Sequence, residues 1–379
     1  MSAAAASTKP IVLATGGTGG HVFPAEALAG ELARRGHNLA LITDARGKRW
    51  KGALAQHPIH YIRAASPSGG VAGKIAGALR LGLGYFDARK VLRGLHPAAV
   101  VGFGGYASVP TVMAASTSGV PTVIHEQNAV LGRANRILVG RARKVATSFP
   151  RVQFLNDNTL AVLTGNPVRD DIRALAAAPY QPPAADGEFR ILITGGSQGT
   201  RAFADVIPPA IETLPQELRS RLRLQQQCRS EDLARVRAAY ARLGVVAETA
   251  DFFADIPARL AGAHLVVARA GASTVAELTA SARPSILVPY PHATDDHQTA
   301  NARALDEVGA SILLPTPQFT PAALAQHLQA LMRDPARLAA MAQAARGLAR
   351  LDAAQRLADT VEAVIAPAAS TAAAAGGAA

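Results

Sequence analysis

A chain of 379 residues is too long for one ordinary hydrophobic core, so two domains enclosing a cleft are expected. Its 49% hydrophobic and 17% charged residues exclude a mainly disordered chain, and the single cysteine, Cys228, excludes a disulfide framework or a Cys/His zinc array. A net charge of +12 points to an acidic partner: nucleotide, nucleic acid or anionic lipid surface. Aromatics at 4% leave little for single-strand stacking, so no nucleic-acid partner is expected.

In chain order, "MSAAAAS" is low in complexity and lacks a basic stretch followed by a sustained apolar run, so no secretory leader is expected. Short apolar strands then alternate with helical segments, the pattern of βαβ units and a parallel sheet. The first-half strands are predicted at Ile11–Ala14, Asn38–Thr43, Ala98–Phe103, Pro121–His125, Lys144–Ser148 and Ala161–Gly165, with helices such as Pro24–Arg35 and Ser108–Ser118 between them. The Leu95–Ile124 stretch carries no formal charge with His96 neutral, but glycines and prolines divide it, so no membrane span is predicted. A Pro/Ala/Gly segment over 171–188 reads as a linker. The alternation then restarts, with strands at Phe189–Thr194, Leu222–Gln227, Val245–Glu248, His264–Arg269, Ser285–Tyr290 and Ala310–Leu314. The expected division is 7–170, linker, 189–350, a C-terminal helix at 351–366 returning to the first domain, and a disordered Ala/Gly tail at 367–379.

Two similar turns open the two halves: Thr15-Gly16-Gly17-Thr18-Gly19-Gly20 and Thr194-Gly195-Gly196-Ser197-Gln198-Gly199, each after a strand and before a helix. Bare backbone at a helix N-terminus presents unpaired N–H groups to an anion, although neither turn has the dinucleotide G-x-G-x-x-G spacing or a P-loop. A helix entrance favours a neutral His21 ring able to accept a proton. "GFGGYASVP" (Gly102–Pro110), with Tyr106, and "HEQN" (His125–Asn128) also follow strands, so in an open α/β sheet they converge with His21. This makes His21 and Glu126 two candidate bases in one cleft. Further on, Glu277 in "RAGASTVAELTA" has the chemistry to accept two hydroxyls, and "PYPHATDDHQTANA" gathers polar groups suited to a sugar.

These motifs, with "GNPVR" (Gly165–Arg169) and the Q-x-x-N of Gln298 to Asn301, resemble the MurG family, the UDP-N-acetylglucosamine:undecaprenyl-diphosphoryl-muramoyl-pentapeptide N-acetylglucosaminyltransferases of peptidoglycan synthesis. The resemblance runs from about Lys9 to Ile365. It implies the GT-B fold, α/β with two Rossmann-like doubly wound domains facing a cleft. It also implies an inverting hexosyltransferase that moves GlcNAc from UDP-GlcNAc to the C4 hydroxyl of the MurNAc of lipid I, giving lipid II.

By motif position, Thr18, Gly19, Gly20, Tyr106 and Asn128 would meet substrate from the first domain. Arg169, Ser197 and Gln198 would lie at the donor diphosphate, and Phe253 at the uracil through its main chain. Ala272, Ser273, Thr274, Val275, Ala276 and Glu277 would cradle the donor, with Glu277 on the ribose, and Gln298 would meet the GlcNAc hydroxyls. No cofactor is implied, and no D-x-D metal signature occurs. Two residues depart from the family pattern: Ala204 stands for the usual Asn, and His297 for a second Gln. The lipid-linked acceptor implies peripheral attachment to the cytoplasmic face of the inner membrane. Gly73–Gly94, with Ile75, Leu79, Leu83 and Phe86 on one face, is either the anionic-lipid contact or a buried core helix. A UDP-GlcNAc 2-epimerase and a non-catalytic nucleotide-sugar sensor are the rival readings.

Overall fold

In a computed structural model, the described residues are 9–16, 19–45, 47, 53–65, 70–156, 160–196 and 200–366. The first unit comprises β1 (Ile11–Ala14), α1 (Gly19–Arg34), β2 (Leu39–Thr43), β3 (Ile59–Tyr61), α2 (Val71–Leu95), β4 (Ala99–Gly102), α3 (Ser108–Thr117), β5 (Thr122–Glu126), α4 (Arg133–Leu138), β6 (Lys144–Thr147) and β7 (Ala161–Leu163). Its strands form one parallel sheet in the order β3-β2-β1-β4-β5-β6-β7. β1, β2, β4 and β5 are buried along their whole length because helices cover both faces, which is why they read as unbroken apolar runs.

A short helix, α5 (Asp170–Ala174), opens the segment expected to be linker. The second unit follows with β8 (Phe189–Thr194), α6 (Arg201–Glu212), α7 (Gln216–Arg219), β9 (Leu222–Gln227), α8 (Leu233–Arg242), β10 (Val246–Ala250), α9 (Ile256–Gly262), β11 (Leu265–Ala268), α10 (Ala272–Ala280), β12 (Ser285–Leu287), α11 (His297–Asp306), β13 (Ser311–Leu313), α12 (Pro321–Met332) and α13 (Pro335–Leu348). These strands form a second parallel sheet in the order β10-β9-β8-β11-β12-β13. The connecting segment lies on this unit, where the Tyr180 hydroxyl donates to the His264 carbonyl at 2.8 Å.

The last helix, α14 (Ala353–Ile365), packs on α1, and its Leu357, Ala358 and Val361 join the core beneath the first sheet. Arg35 holds it in place through Asp359 at 2.6 Å and Glu362 at 2.7 Å. The chain therefore crosses between the units twice, and the crossings touch at Gly165. There φ is +86°, and an added Cβ would come within 2.5 Å of the Arg350 Cβ. Only glycine fits both constraints.

Among the elements that differ from the sequence expectation are α1 and β3. α1 starts at Gly19 rather than Pro24, and Pro24, lacking an N–H, leaves the Gly20 carbonyl without its usual i+4 partner. β3 had no predicted counterpart, because three half-exposed residues at a sheet edge leave no periodic pattern.

On α2, Ile75, Leu79, Leu83 and Phe86 are 57, 63, 45 and 65% exposed, while Gly77, Gly84, Ala88 and Leu92 face inward. The apolar stripe therefore faces outward, which removes the buried-core alternative. Among the described residues, no helix is long and apolar enough to cross a membrane.

Candidate active site

In each sheet the strand order reverses between two neighbours, β1 and β4 in the first and β8 and β11 in the second. The loops leaving those strands are where an open parallel sheet offers a ligand site. Both sets line one cleft of about 1050 Å³ between the units. Gly16 packs so closely under the first turn that an added Cβ would lie 2.5 Å from the Ala107 Cβ.

His21, on the first turn of α1, lines this cleft. Its ring lies over Gly104 and Gly105, whose φ values of +82° and +69° shape the turn after β4. Burial lowers its pKa below the ordinary 6.5, opposed by the hydrogen bond to Gln127 and the charge of Glu126, so the ring is neutral at pH 7. His21 Nδ1 lies 3.0 Å from Gln127 Oε1. The Gln127 amide nitrogen in turn reaches the Phe103 carbonyl at 3.0 Å, His125 Nδ1 at 2.9 Å and the His125 carbonyl at 3.1 Å. Nε2 of buried His125 lies 3.1 Å from the Gly165 carbonyl.

The other candidate base, Glu126, spends its carboxylate on structure. Oε1 accepts from the Asn128 main-chain N–H at 3.0 Å and from its side chain at 3.3 Å, while Oε2 accepts from the Gly132 N–H and Asn135 Nδ2, each at 2.8 Å. Both oxygens thereby hold the loop between β5 and α4. Asn128 also accepts from Asn301 Nδ2 of the second unit at 3.0 Å.

From the second unit, Gly271, Ala272, Ser273 and Thr274 bring the start of α10 to the cleft. The first-turn N–H groups of a helix have no intrahelical partner, and those of α10 begin at the cleft wall. Glu277, one turn further, also lines the cleft, and burial pushes its pKa up to about 7 although the Arg169 charge pulls it down. The Arg169 guanidinium lies 5.5 Å from the centre of the Phe23 ring. Gln298 accepts the Tyr290 N–H at 2.9 Å and the Ala270 N–H at 3.2 Å through Oε1. Its NH₂ has no protein partner among the described residues. Phe253 lines the cleft beneath the Arg259 guanidinium, 3.8 Å from its ring centre.

Of the residues expected at the site, Gly19, Gly20, Tyr106, Asn128 and the second-unit residues just named meet in this cleft. Val275 does not contribute its side chain, which is buried in the core under the second sheet, and Ala276 is absent from the cleft wall. On a helix only one face can look outward. Thr18, Ser197 and Gln198 lie outside the described residues. Ala204 is buried in the second core and does not line the cleft, whereas His297 does.

Sequence reasoning gave no role to Gln127 or Arg269, and it grouped Asn301 only with polar residues suited to a sugar. Buried Arg269 donates to the Val288 and Pro289 carbonyls at 3.0 and 2.8 Å and to the Thr200 hydroxyl at 3.0 Å, and it lines the cleft. All three stood in quoted motifs, but their partners lie far away in the chain and carry no local signal.

Comparison with known proteins matches residues 11–147 to the glycosyltransferase family 28 N-terminal domain and residues 190–357 to the family 28 C-terminal domain. The chain is 56% identical over 357 residues, 94% of each chain, to the UDP-N-acetylglucosamine–N-acetylmuramyl-(pentapeptide) pyrophosphoryl-undecaprenol N-acetylglucosamine transferase of Rhodospirillum centenum. It is 54% identical to that of Rhodospirillum rubrum over 93% of this chain and 91% of the relative. The crystal structure of Acinetobacter baumannii MurG superposes with a TM-score of 0.77 at 31% identity, covering 94% of this chain and 99% of that one. A Listeria monocytogenes UDP-N-acetylglucosamine 2-epimerase structure, at 14% identity and a TM-score of 0.63 over 94% of this chain and 96% of that one, shares the fold alone. With two GT-B-type sheets facing a cleft and matches of this extent, the chain belongs to glycosyltransferase family 28 and, within it, to the MurG N-acetylglucosaminyltransferases.

Proposed function

We propose that the protein transfers GlcNAc from UDP-GlcNAc to the C4 hydroxyl of the MurNAc of lipid I with inversion, giving lipid II. The observation that carries this reading is the neutral His21 imidazole on the wall of a cleft whose opposite wall is the N-terminus of α10. The acceptor oxygen attacks the anomeric carbon from the face opposite UDP. As the new C–O bond forms, the bond to the phosphate oxygen breaks, the hydroxyl proton passes to His21 Nε2, and UDP departs with the electron pair. General-base assistance of this kind supplies about 10²- to 10⁴-fold.

The leaving diphosphate is held by the first-turn N–H groups of Ala272, Ser273 and Thr274 and by Arg169, which supply positive potential without a metal ion. Glu277 accepts the ribose hydroxyls, the Gln298 NH₂ faces the GlcNAc, and the Phe253 main chain reads the uracil. Gly19, Gly20, Tyr106 and Asn128 close on the sugar from the first unit. Glu126, with both oxygens already engaged, acts as a positioning residue for Asn128 rather than as the base.

The acceptor unit reaches its lipid substrate at the cytoplasmic face of the inner membrane. The exposed face of α2, flanked by Lys74, Arg80, Arg89, Lys90 and Arg93, rests on anionic lipid there, each cation adding about 1 kcal/mol near the surface.

The test is transfer of labelled GlcNAc to a lipid I analogue in the presence of a chelator. Transfer in the wild type and its loss in His21→Ala are expected, with the KM for UDP-GlcNAc little changed. Epimerisation of UDP-GlcNAc without acceptor, or tight donor binding without transfer, overturns the reading.

A further inference from the structure

We propose that Gln127 is a positioning residue that fixes His21 as the Nδ1–H tautomer, so that the Nε2 lone pair is the one available to the acceptor hydroxyl. The inference rests on the reading of His21 as the base, but its first half stands on hydrogen-bond logic alone.

Main-chain carbonyls can only accept, and two of them, Phe103 and His125, lie within 3.1 Å of one end of the Gln127 side chain. That end is therefore the NH₂, and the end 3.0 Å from His21 Nδ1 is the oxygen. An amide oxygen has no proton to give, so Nδ1 must carry the hydrogen, and Nε2 of the neutral ring is left with its lone pair. The far end of the chain of contacts agrees independently. The Gly165 carbonyl accepts from His125 Nε2, which leaves His125 Nδ1 unprotonated and able to accept from the Gln127 NH₂. Every donor meets an acceptor in only one arrangement, because a carbonyl anchors each branch.

The two histidines are 104 positions apart in sequence, and neither would choose this state alone. A free histidine side chain favours the Nε2–H form, which would turn a proton rather than a lone pair toward the acceptor. Setting the ring by a neutral amide instead of a carboxylate also leaves it uncharged before reaction. When Nε2 takes the acceptor proton, the Nδ1–H···Oε1 contact becomes a charge-assisted hydrogen bond and strengthens as the transition state is approached.

The experiment is nitrogen NMR of protein labelled with ¹⁵N-histidine, recorded near pH 8 and combined with steady-state kinetics. The chain has 10 histidines, so the His21 signals are assigned by difference against His21→Gln. The wild type is expected to give a protonated Nδ1 and an unprotonated Nε2. Gln127→Met, which keeps the length of the side chain but removes the oxygen, should shift His21 toward the Nε2–H form. It should also lower kcat by about tenfold or more while the KM for UDP-GlcNAc stays within about twofold.

A wild-type His21 bearing its proton on Nε2 overturns the proposal without any mutant. A Gln127→Met protein with unchanged tautomer and kcat overturns it equally. A shifted tautomer with unchanged kcat strikes instead at the role of His21 as base, and retained turnover in His21→Gln does the same.

Discussion

Asn301 of α11 donates through Nδ2 to Asn128 Oδ1 across 3.0 Å, joining the second unit to the loop that Glu126 holds in the first. The same fully buried amide accepts the Ala129 N–H at 2.8 Å and donates to the Ala270 carbonyl at 3.0 Å. Asn301→Leu keeps the volume but strands both main-chain groups, and each buried orphan costs about 1–3 kcal/mol. We expect a lower urea midpoint and a raised KM for UDP-GlcNAc, with Asn301→Asp falling between the two because it keeps the acceptor. Unchanged values in Asn301→Leu would show that the two units are joined elsewhere.

With Glu277 in its proposed place on the ribose, donor binding should be sensitive to pH near neutrality. The Glu277 pKa is pushed up to about 7, so the carboxylate proposed to accept the ribose hydroxyls gives way to a neutral acid as pH falls through that value. The KM for UDP-GlcNAc should rise on going from pH 8 to pH 6, and Glu277→Gln should have a high KM with little slope. The free protein shows the linked effect. Between the ordinary value of 4.5 and about 7, the folded chain holds a proton that the unfolded chain has lost, so this contribution to stability declines as pH rises through about 7. Donor-free melting curves of wild type and Glu277→Gln across that range should diverge accordingly.

Under the proposed lipid contact, the outward stripe of α2 should separate two kinds of acceptor. Replacing Ile75, Leu79 and Phe86 together with Glu should abolish sedimentation with anionic vesicles and depress transfer to lipid I embedded in them. Transfer to a water-soluble short-chain acceptor should stay within about twofold, since none of these side chains lines the cleft. Equal loss with both acceptors would mean that α2 supports the fold instead.

Gly165→Ala addresses the place where the two crossings touch. A methyl group there meets the Arg350 Cβ at 2.5 Å and requires a left-handed backbone that alanine resists, so one crossing must move. Because the Gly165 carbonyl also anchors His125, kcat should fall together with thermal stability. Loss of stability alone would uncouple the crossing from the catalytic wall.

Much of this fold was legible from apolar runs. β8 and β9 coincide with their predicted spans, because buried parallel strands must be apolar and their flanking turns are rich in glycine and polar residues. β12 ends at Leu287 rather than Tyr290, since apolar character continues into the wall behind the cleft after sheet pairing stops. At the site, the residue types were readable and their roles were not. "HEQN" announced a polar turn, yet only the fold brings Gln127 beside a ring 106 positions away and turns Glu126 inward onto its own loop. The latch of Arg133 and Arg136 on Asp295, at 2.9 and 2.8 Å, was equally invisible, because charge pairing across 159 or more positions has no periodicity to betray it.

The return of α14 sets a rule for dividing this protein into pieces. A fragment ended after β7 would keep every strand of its sheet but expose a strip of core where Leu357, Ala358 and Val361 normally sit, and would leave Arg35 facing water instead of Asp359 and Glu362. A self-standing first unit must carry that helix as a graft, and the second unit is best excised without it.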